Sequence, residues 1–203
     1  MEDTARANLC DLVELRLDLL GVPMDELRAE AAKLRLPILI TARHPAEGGK
    51  GSEDAMERSA MLESMLDLAS LMDVELRSAV EMKAIITKAQ SASVQVVGSF
   101  HDFQATPADE VITGARQMGQ TLGLDGVKIA TFLNSPADLI RLMQHASAPL
   151  RLPFSVMGMG PYGRVSRLAL AKVGSLLNYG YLGESNAPGQ WPAAQLKELL
   201  SEL

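Results

Sequence analysis

The chain has 203 residues, of which 47% are hydrophobic and 22% are charged, so it is expected to fold into a globular domain with a sizeable core. Its formal net charge of −6, with no run of lysine and arginine, argues against nucleic acid as a partner. A single cysteine, Cys10, excludes an internal disulfide framework. Because the sequence shows neither a signal peptide nor an apolar run of membrane-spanning length, we expect a cytoplasmic protein with no membrane partner.

Short apolar runs alternate with longer amphipathic segments from one end of the chain to the other. The short runs predict seven strands, at residues 9–17, 36–43, 69–76, 93–100, 125–132, 150–157 and 175–182. Apolar spacing near 3.6 predicts helices at residues 24–34, 52–68, 79–90, 107–122, 135–146 and 192–203. Pro107 and Pro136 stand near the first turn of a predicted helix, where proline is tolerated. No linker interrupts the pattern, so residues 1–203 are predicted to form a single domain.

Strict alternation of strands and helices predicts a parallel sheet covered by helices. An open doubly wound sheet is disfavoured because no glycine-rich turn follows an early strand. Polar residues at the ends of nearly every strand favour a (β/α)₈ barrel, in which the strand ends converge on one face. Seven strands are one too few for that barrel, and the residues before the first strand are too few for a βα unit. We therefore expect a barrel that lacks its first βα unit, through a misplaced start or a truncation.

The polar residues at the strand ends and in the later loops form the candidate site. Taken singly, most have an ordinary structural interpretation: Glu14 and Arg16 would form an ion pair, His101 would be a core histidine, and Lys128 would extend to solvent. Burying so many ionisable groups is costly unless they are used, and this argues for function. The candidates are Glu14, Arg16, Arg43, Glu47, Ser99, His101, Asp102, Lys128, Arg167 and Gln190.

Lys128 suggests what chemistry the set performs. It stands inside the apolar run "GVKIATF", where burial favours the neutral amine that attacks a carbonyl. The resulting protonated imine acts as an electron sink for removal of an adjacent proton, and histidine is a natural carrier of that proton. Arginine binds a carboxylate with two parallel hydrogen bonds. The residues therefore fit a small ketone acid as substrate.

Six motifs, in order along the chain, resemble those of the type I 3-dehydroquinate dehydratase family, whose members form a Schiff base with their substrate. The motifs are "ELRLD", "TARHPAEGG", "GSFHDF", "GVKIA", "MGPYGRVSR" and "NAPGQ", and the resemblance runs from Asp11 to about Gln190. It implies a (β/α)₈ barrel, a homodimer and an enzyme that needs no metal or other cofactor. The implied reaction is the dehydration of 3-dehydroquinate to 3-dehydroshikimate, a step of the shikimate pathway of aromatic amino acid biosynthesis.

The resemblance also implies a role for each matching residue. Lys128 would form the imine with the C3 ketone, His101 would remove a C2 proton and protonate the leaving C1 hydroxyl, and Glu47 would orient His101. The substrate-binding residues would be Arg167 and Gln190 at the carboxylate, and Glu14, Arg16, Arg43 and Asn186 at the hydroxyls. Two positions depart from the family pattern: Asn186 replaces a usual serine, and Pro45 lies inside the segment that carries Glu47.

Two alternative interpretations remain open on the sequence alone. A class I aldolase would share the imine lysine but would cleave a carbon–carbon bond, and it accounts less well for "HDF" together with "APGQ". A truncated barrel acting as a non-catalytic binding or interaction module is favoured only by the absent first unit.

Overall fold

The computed structural model describes residues 9–149, 152–185 and 187–203. These residues fall into two compact units, the first ending at Ser99 and the second beginning at Phe100. Both units are built from parallel strands that alternate with helices, as the sequence predicts, except that β7 (Gly180–Tyr181) is followed directly by β8 (Trp191–Pro192). In the described residues, no helix is long and apolar enough to span a membrane.

The first unit contains four neighbouring parallel strands in chain order. Leu39 is in register with Leu71, and Leu71 with Gln95, so the ends of these strands lie at a common edge. The strands are β1 (Val13–Arg16), β2 (Ile38–Thr41), β3 (Leu71–Glu75) and β4 (Gln95–Asp102), of which β4 extends into the second unit. The helices are α1 (Met24–Ala31), α2 (Ala55–Ser64) and α3 (Lys83–Ser91).

Strand β2 shows why this unit folds as a covered parallel sheet. Its four residues, Ile-Leu-Ile-Thr, are all buried, as expected of a strand packed on both faces. Helix α2 begins after Asp54, whose carboxylate accepts hydrogen bonds from the backbone N–H groups of Met56 and Glu57. Leu39, Leu62 and Met72 have no exposed surface and belong to the core.

The second unit contains a longer strand pair and a shorter one. Strand β5 (Gly126–Phe132) pairs in parallel with β6 (Phe154–Met159), and β7 (Gly180–Tyr181) pairs in parallel with β8 (Trp191–Pro192). The helices are α4 (Asp109–Thr121), α5 (Pro136–Ser147), α6 (Gly163–Lys172) and α7 (Ala193–Glu202). Helix α5 starts with a capping box between Ser135 and Asp138, with Pro136 in its first turn.

The structure confirms most of the predicted elements and corrects several. All seven predicted strands overlap an observed strand, although residues 150 and 151 of the sixth prediction lie outside the described residues. The count of seven misses the two-residue strand β8, and the helix prediction misses α6. Pro107 lies one residue before the N-cap of α4, near the start of the helix as predicted. The single domain and the absent first βα unit stay predictions.

Candidate active site

Arg43 lies at the centre of a buried polar cluster in the first unit. It follows β2, and its guanidinium is only 3% exposed. Its Nη1 atom donates hydrogen bonds to Asp73 Oδ1 and Glu75 Oε1, both at 2.9 Å, and to Ser99 Oγ at 2.6 Å. The Ser99 hydroxyl in turn donates to Asp73 Oδ1 at 2.5 Å, and the backbone N–H of His44 donates to Glu75 Oε1 at 3.0 Å.

The charges within this cluster determine the state of the arginine. Burial alone would lower the pKa of the Arg43 guanidinium, but the carboxylates of Asp73 and Glu75 outweigh burial and raise it. Arg43 is therefore a permanently charged cation held by two carboxylates. The role expected for it, contact with a substrate hydroxyl, stays a prediction, while its observed contacts are with protein groups.

Glu14 and Arg16 lie on β1, but they do not form the ion pair that their spacing suggested. Glu14 Oε1 accepts a hydrogen bond from the Thr41 hydroxyl at 2.7 Å. Arg16 instead binds Asp18 through both Nε and Nη2, at 2.9 and 2.7 Å. Burial would raise the pKa of the Asp18 carboxyl, but Arg16 and backbone N–H groups outweigh burial and lower it. Glu14 and Arg16 thus have separate partners.

Glu47 is buried at the end of a 3₁₀ turn formed by Pro45–Glu47. Pro45 occupies the first position of this turn, and His44 Nδ1 caps it by accepting the Ala46 N–H at 3.0 Å. The following Gly48 has a φ of 84°, the left-handed conformation that glycine adopts without strain. The "PAEGG" segment is therefore a defined turn, and the proline fits it.

The second glycine of that segment is required by a close approach of the backbone. A Cβ atom placed on Gly49 would lie 1.9 Å from the carbonyl oxygen of Arg43. Any other residue there would displace the chain between Arg43 and Glu47.

Lys128 lies in the middle of β5 in the second unit and is 3% exposed. Its strand neighbours Val127 and Ile129 are also buried. The Nζ atom lies 3.5 Å from the hydroxyl of Tyr179 and 4.8 Å from the centre of its ring. The sequence analysis therefore located a buried lysine correctly, and the structure adds a tyrosine beside it.

His101 lies near the end of β4 and is partly exposed. Its ring stacks against Phe103, with 6.4 Å between ring centres and 18° between ring planes. The carboxylate of the neighbouring Asp102 is bound locally, because its Oδ1 atom accepts hydrogen bonds from the backbone N–H groups of Gln104 and Ala105. This Asx turn fixes the path of the chain directly after the histidine.

The "GRVSR" segment that carries Arg167 is helical, so Arg167 lies within helix α6 rather than in a loop. Its Nη1 donates to the carbonyl of Tyr179 at 2.9 Å, and its Nε donates to the carbonyl of Gly189 at 3.3 Å. Burial lowers the pKa of Arg167 to about 10, so the guanidinium stays charged at neutral pH. Gln190, next to Gly189, accepts a hydrogen bond from Ser185 at 3.1 Å. Asn186 lies outside the described residues.

In the first unit, Glu14 contacts Thr41, and Arg43 contacts Asp73, Glu75 and Ser99. In the second unit, Lys128 and Arg167 both contact Tyr179. Sequence reasoning overlooked the acidic partners Asp73 and Glu75, although "DVE" at the end of a predicted strand has the same alternation as "ELR". Tyr179 carried no such signal, because it lies in an apolar run that predicted only a strand. Among the described residues, no group of His, Cys, Asp and Glu side chains is arranged to hold a metal ion.

Comparison with known proteins gives a consistent result over nearly the whole chain. The family model described as Type I 3-dehydroquinase matches residues 1–203. The chain is similar to the 3-dehydroquinate dehydratase of Shouchella clausii, at 34% identity over 98% of this chain and 83% of that protein. It is also similar to that of Klebsiella pneumoniae, at 33% identity over 95% of this chain and 82% of that protein.

A solved structure agrees with the sequence relatives. The crystal structure of 3-dehydroquinate dehydratase from Geobacillus kaustophilus matches with a TM-score of 0.89 at 29% identity, covering 100% of this chain and 83% of that one. This likeness confirms the predicted fold class, the TIM-barrel-like α/β fold. Since the family model, the relatives and the fold agree, the chain belongs to the type I 3-dehydroquinase family.

Proposed function

We propose that this chain dehydrates 3-dehydroquinate to 3-dehydroshikimate through an imine formed on Lys128. The observation that carries the proposal is a lysine buried in the middle of a strand, at 3% exposure, in a chain that belongs to this family. The unprotonated amine of a lysine is the nucleophile in imine formation, and Lys128 is the buried lysine of this strand. The alternatives of an aldolase or a non-catalytic module have no comparable support.

The proposed reaction consists of imine formation, elimination of the C1 hydroxyl and hydrolysis of the imine. The amine of Lys128 adds to the C3 ketone, and the carbinolamine takes up a proton and loses water to give a protonated imine, whose proton is returned on hydrolysis. His101 removes a C2 proton, the electron pair moves toward the imine nitrogen, and the C1 hydroxyl leaves as water with a proton from His101. Water then hydrolyses the imine, which releases 3-dehydroshikimate and regenerates the lysine. The net change is the loss of one water molecule from the substrate.

The remaining residue roles follow from the family resemblance. Arg167 binds the substrate carboxylate, which suits a buried guanidinium that stays charged at neutral pH. Glu47 orients His101, and Gln190 assists Arg167. Glu14, Arg16, Arg43 and Asn186 recognise the hydroxyl groups.

Borohydride reduction tests the imine directly. We expect a substrate-sized mass increase on the peptide that contains Lys128 when the protein is reduced in the presence of 3-dehydroquinate. Lys128→Ala should abolish both the adduct and turnover, because alanine has no amine with which to form the imine. The control is Lys172→Ala, which removes an exposed lysine of α6 and should leave both unchanged. Turnover by Lys128→Ala, or turnover of the parent protein with an adduct elsewhere, would overturn the mechanism.

We also infer a cytoplasmic homodimer from the family resemblance. The lone cysteine, Cys10, fits a reducing compartment. Light scattering coupled to size-exclusion chromatography should give a mass twice that of the 21.8 kDa chain, and a mass of one chain would contradict the dimer.

A further inference from the structure

Tyr179 presents two parts of its side chain to the nitrogen of Lys128. The Nζ atom lies 4.8 Å from the centre of the ring, within the range of a cation–π contact. The distance from Nζ to the phenolic oxygen is 3.5 Å, at the outer limit for a hydrogen bond. Both the ring and the hydroxyl of Tyr179 are therefore within reach of this nitrogen.

The backbone of Tyr179 is fixed from two directions by one residue of helix α6. Arg167 Nη1 donates to the carbonyl of Tyr179 at 2.9 Å, and the Arg167 carbonyl accepts a hydrogen bond from the side chain of Asn178 at 2.8 Å. These two bonds attach the segment before β7 to the helix. The position of the ring therefore does not depend on a flexible loop.

The ring itself is held by an apolar cluster. Ala130, Met157 and Met159 form the buried part of this cluster, and Tyr179 packs against it. Ala130 is two residues beyond Lys128 on β5, so it lies on the same side of the strand. The cluster against which the tyrosine packs thus continues directly from the lysine, which is itself 3% exposed.

We infer that Tyr179 is a further functional residue of this reaction, whose ring face stabilises the positive charge on the Lys128 nitrogen in the protonated imine. The inference rests on the proposed function. A protonated imine is positively charged at the nitrogen that was Nζ, and an aromatic ring attracts such a charge through its quadrupole. Because the ring is preorganised, no rearrangement is needed when the charge forms. No bond to the tyrosine forms or breaks.

Substitutions that change only the electron density of the ring test this inference. We expect Tyr179→Phe, which keeps the ring, to retain kcat within about threefold. Replacing that phenylalanine with analogues carrying one, two and three fluorine atoms should lower kcat stepwise, by about tenfold over the series, because fluorine weakens the quadrupole at nearly constant shape. The KM for 3-dehydroquinate should change little. A residue with only a packing role would not produce a graded loss.

The outcomes separate this inference from the proposed function. If the parent protein forms the borohydride adduct on Lys128 but the fluorinated series shows no trend in kcat, the role of the ring is wrong and the imine mechanism stands. A loss in Tyr179→Phe much larger than threefold would assign the function to the hydroxyl and overturn the ring assignment. If the parent protein forms no adduct, the proposed function fails first. Circular dichroism of each variant confirms that the proteins compared are folded.

Discussion

At the scale of single residues, Arg43 shows how burial and pairing together determine what a charge does. Its guanidinium lies between Asp73 and Glu75, and all three side chains are at most 3% exposed. Removing one member of such a group leaves an uncompensated charge in a poorly solvated site. That cost exceeds the net stability of the intact pair.

We expect Arg43→Met to lower the free energy of unfolding by about 3–5 kcal/mol, because buried Asp73 loses its arginine and buried Glu75 keeps only the longer contact with Arg58, at 4.0 Å. Urea denaturation followed by fluorescence or circular dichroism measures this change. The control is Lys33→Met, which removes an ion pair with Glu30 at the surface and should cost less than about 1 kcal/mol. Equal losses in the two variants would show that the buried cluster contributes no more than a surface pair.

The burial and role of a residue could be predicted from the sequence where its type is unusual for its position. Lys128 interrupts an apolar strand, so its burial and its candidate role could be inferred. The partner of Arg16 could not be predicted, because Glu14 and Asp18 each lie two residues away from it. Strand β1 ends at Arg16, so the strand pattern does not determine the backbone conformation of the residues that follow. The choice of Asp18 depends on the turn after β1, where it also accepts the backbone N–H groups of Arg43 and Lys50.

At the scale of elements, the start of helix α6 is fixed by a close contact with the segment that carries Gln190. A Cβ atom on Gly163 would lie 2.9 Å from the Cα atom of Gly189, whose φ is +79°. The N–H of Gly160 donates to the carbonyl of Pro188 at 3.2 Å. Glycine at position 163 therefore permits two backbones to touch.

We expect Gly163→Ala to be destabilising, because the added methyl group forces the two backbones apart. The matched control is Gly114→Ala in helix α4, where nothing lies within 4 Å of the added Cβ. That change should instead stabilise the protein by about 0.5–1 kcal/mol, since alanine loses less conformational entropy than glycine in a helix. Thermal denaturation of both variants measures the sign of each change in stability. An increase in stability for Gly163→Ala would contradict the close contact.

The elements missed by sequence reasoning share a cause. Helix α6 begins directly after a 3₁₀ turn at Gly160–Tyr162, so glycine and proline precede it and obscure its start. Strand β8 has two residues, one of them a proline, and is defined by its pairing with β7. An apolar periodicity can be recognised only in segments longer than these. The longer strands and helices were predicted because their own apolar pattern determines them.

At the scale of the whole molecule, the fold class was more predictable than any site contact. The alternation of strands and helices requires a parallel sheet, and the ordered motifs identified the family. The arrangement of polar side chains within each compact unit depends on contacts between residues that are distant in sequence. The Arg43–Ser99 bond, for example, joins residues 56 positions apart, and no local pattern encodes it.

Stability should fall in two stages as the pH decreases, because the folded state lowers the pKa of His44 and the pKa of several carboxyl groups, among them Asp18. Burial, together with the nearby charges of Arg58 and Arg77, lowers the pKa of His44 from its ordinary value of 6.5. The unfolded chain therefore binds a proton at a higher pH than the folded chain does, and stability is lost as the pH falls below about 6.5. The structural reason is that His44 Nδ1 must be unprotonated to accept the Ala46 N–H.

Asp18 should contribute to the second stage. Its folded-state pKa lies below the ordinary 3.8, so the stability that it contributes is complete above that value and is lost as the pH falls through it. Urea denaturation at a series of pH values measures both stages. We expect His44→Asn, which keeps a capping oxygen without a titrating group, to remove the first stage alone, and Asp18→Asn to flatten the second. A first stage that persists in His44→Asn would assign it to another titrating group.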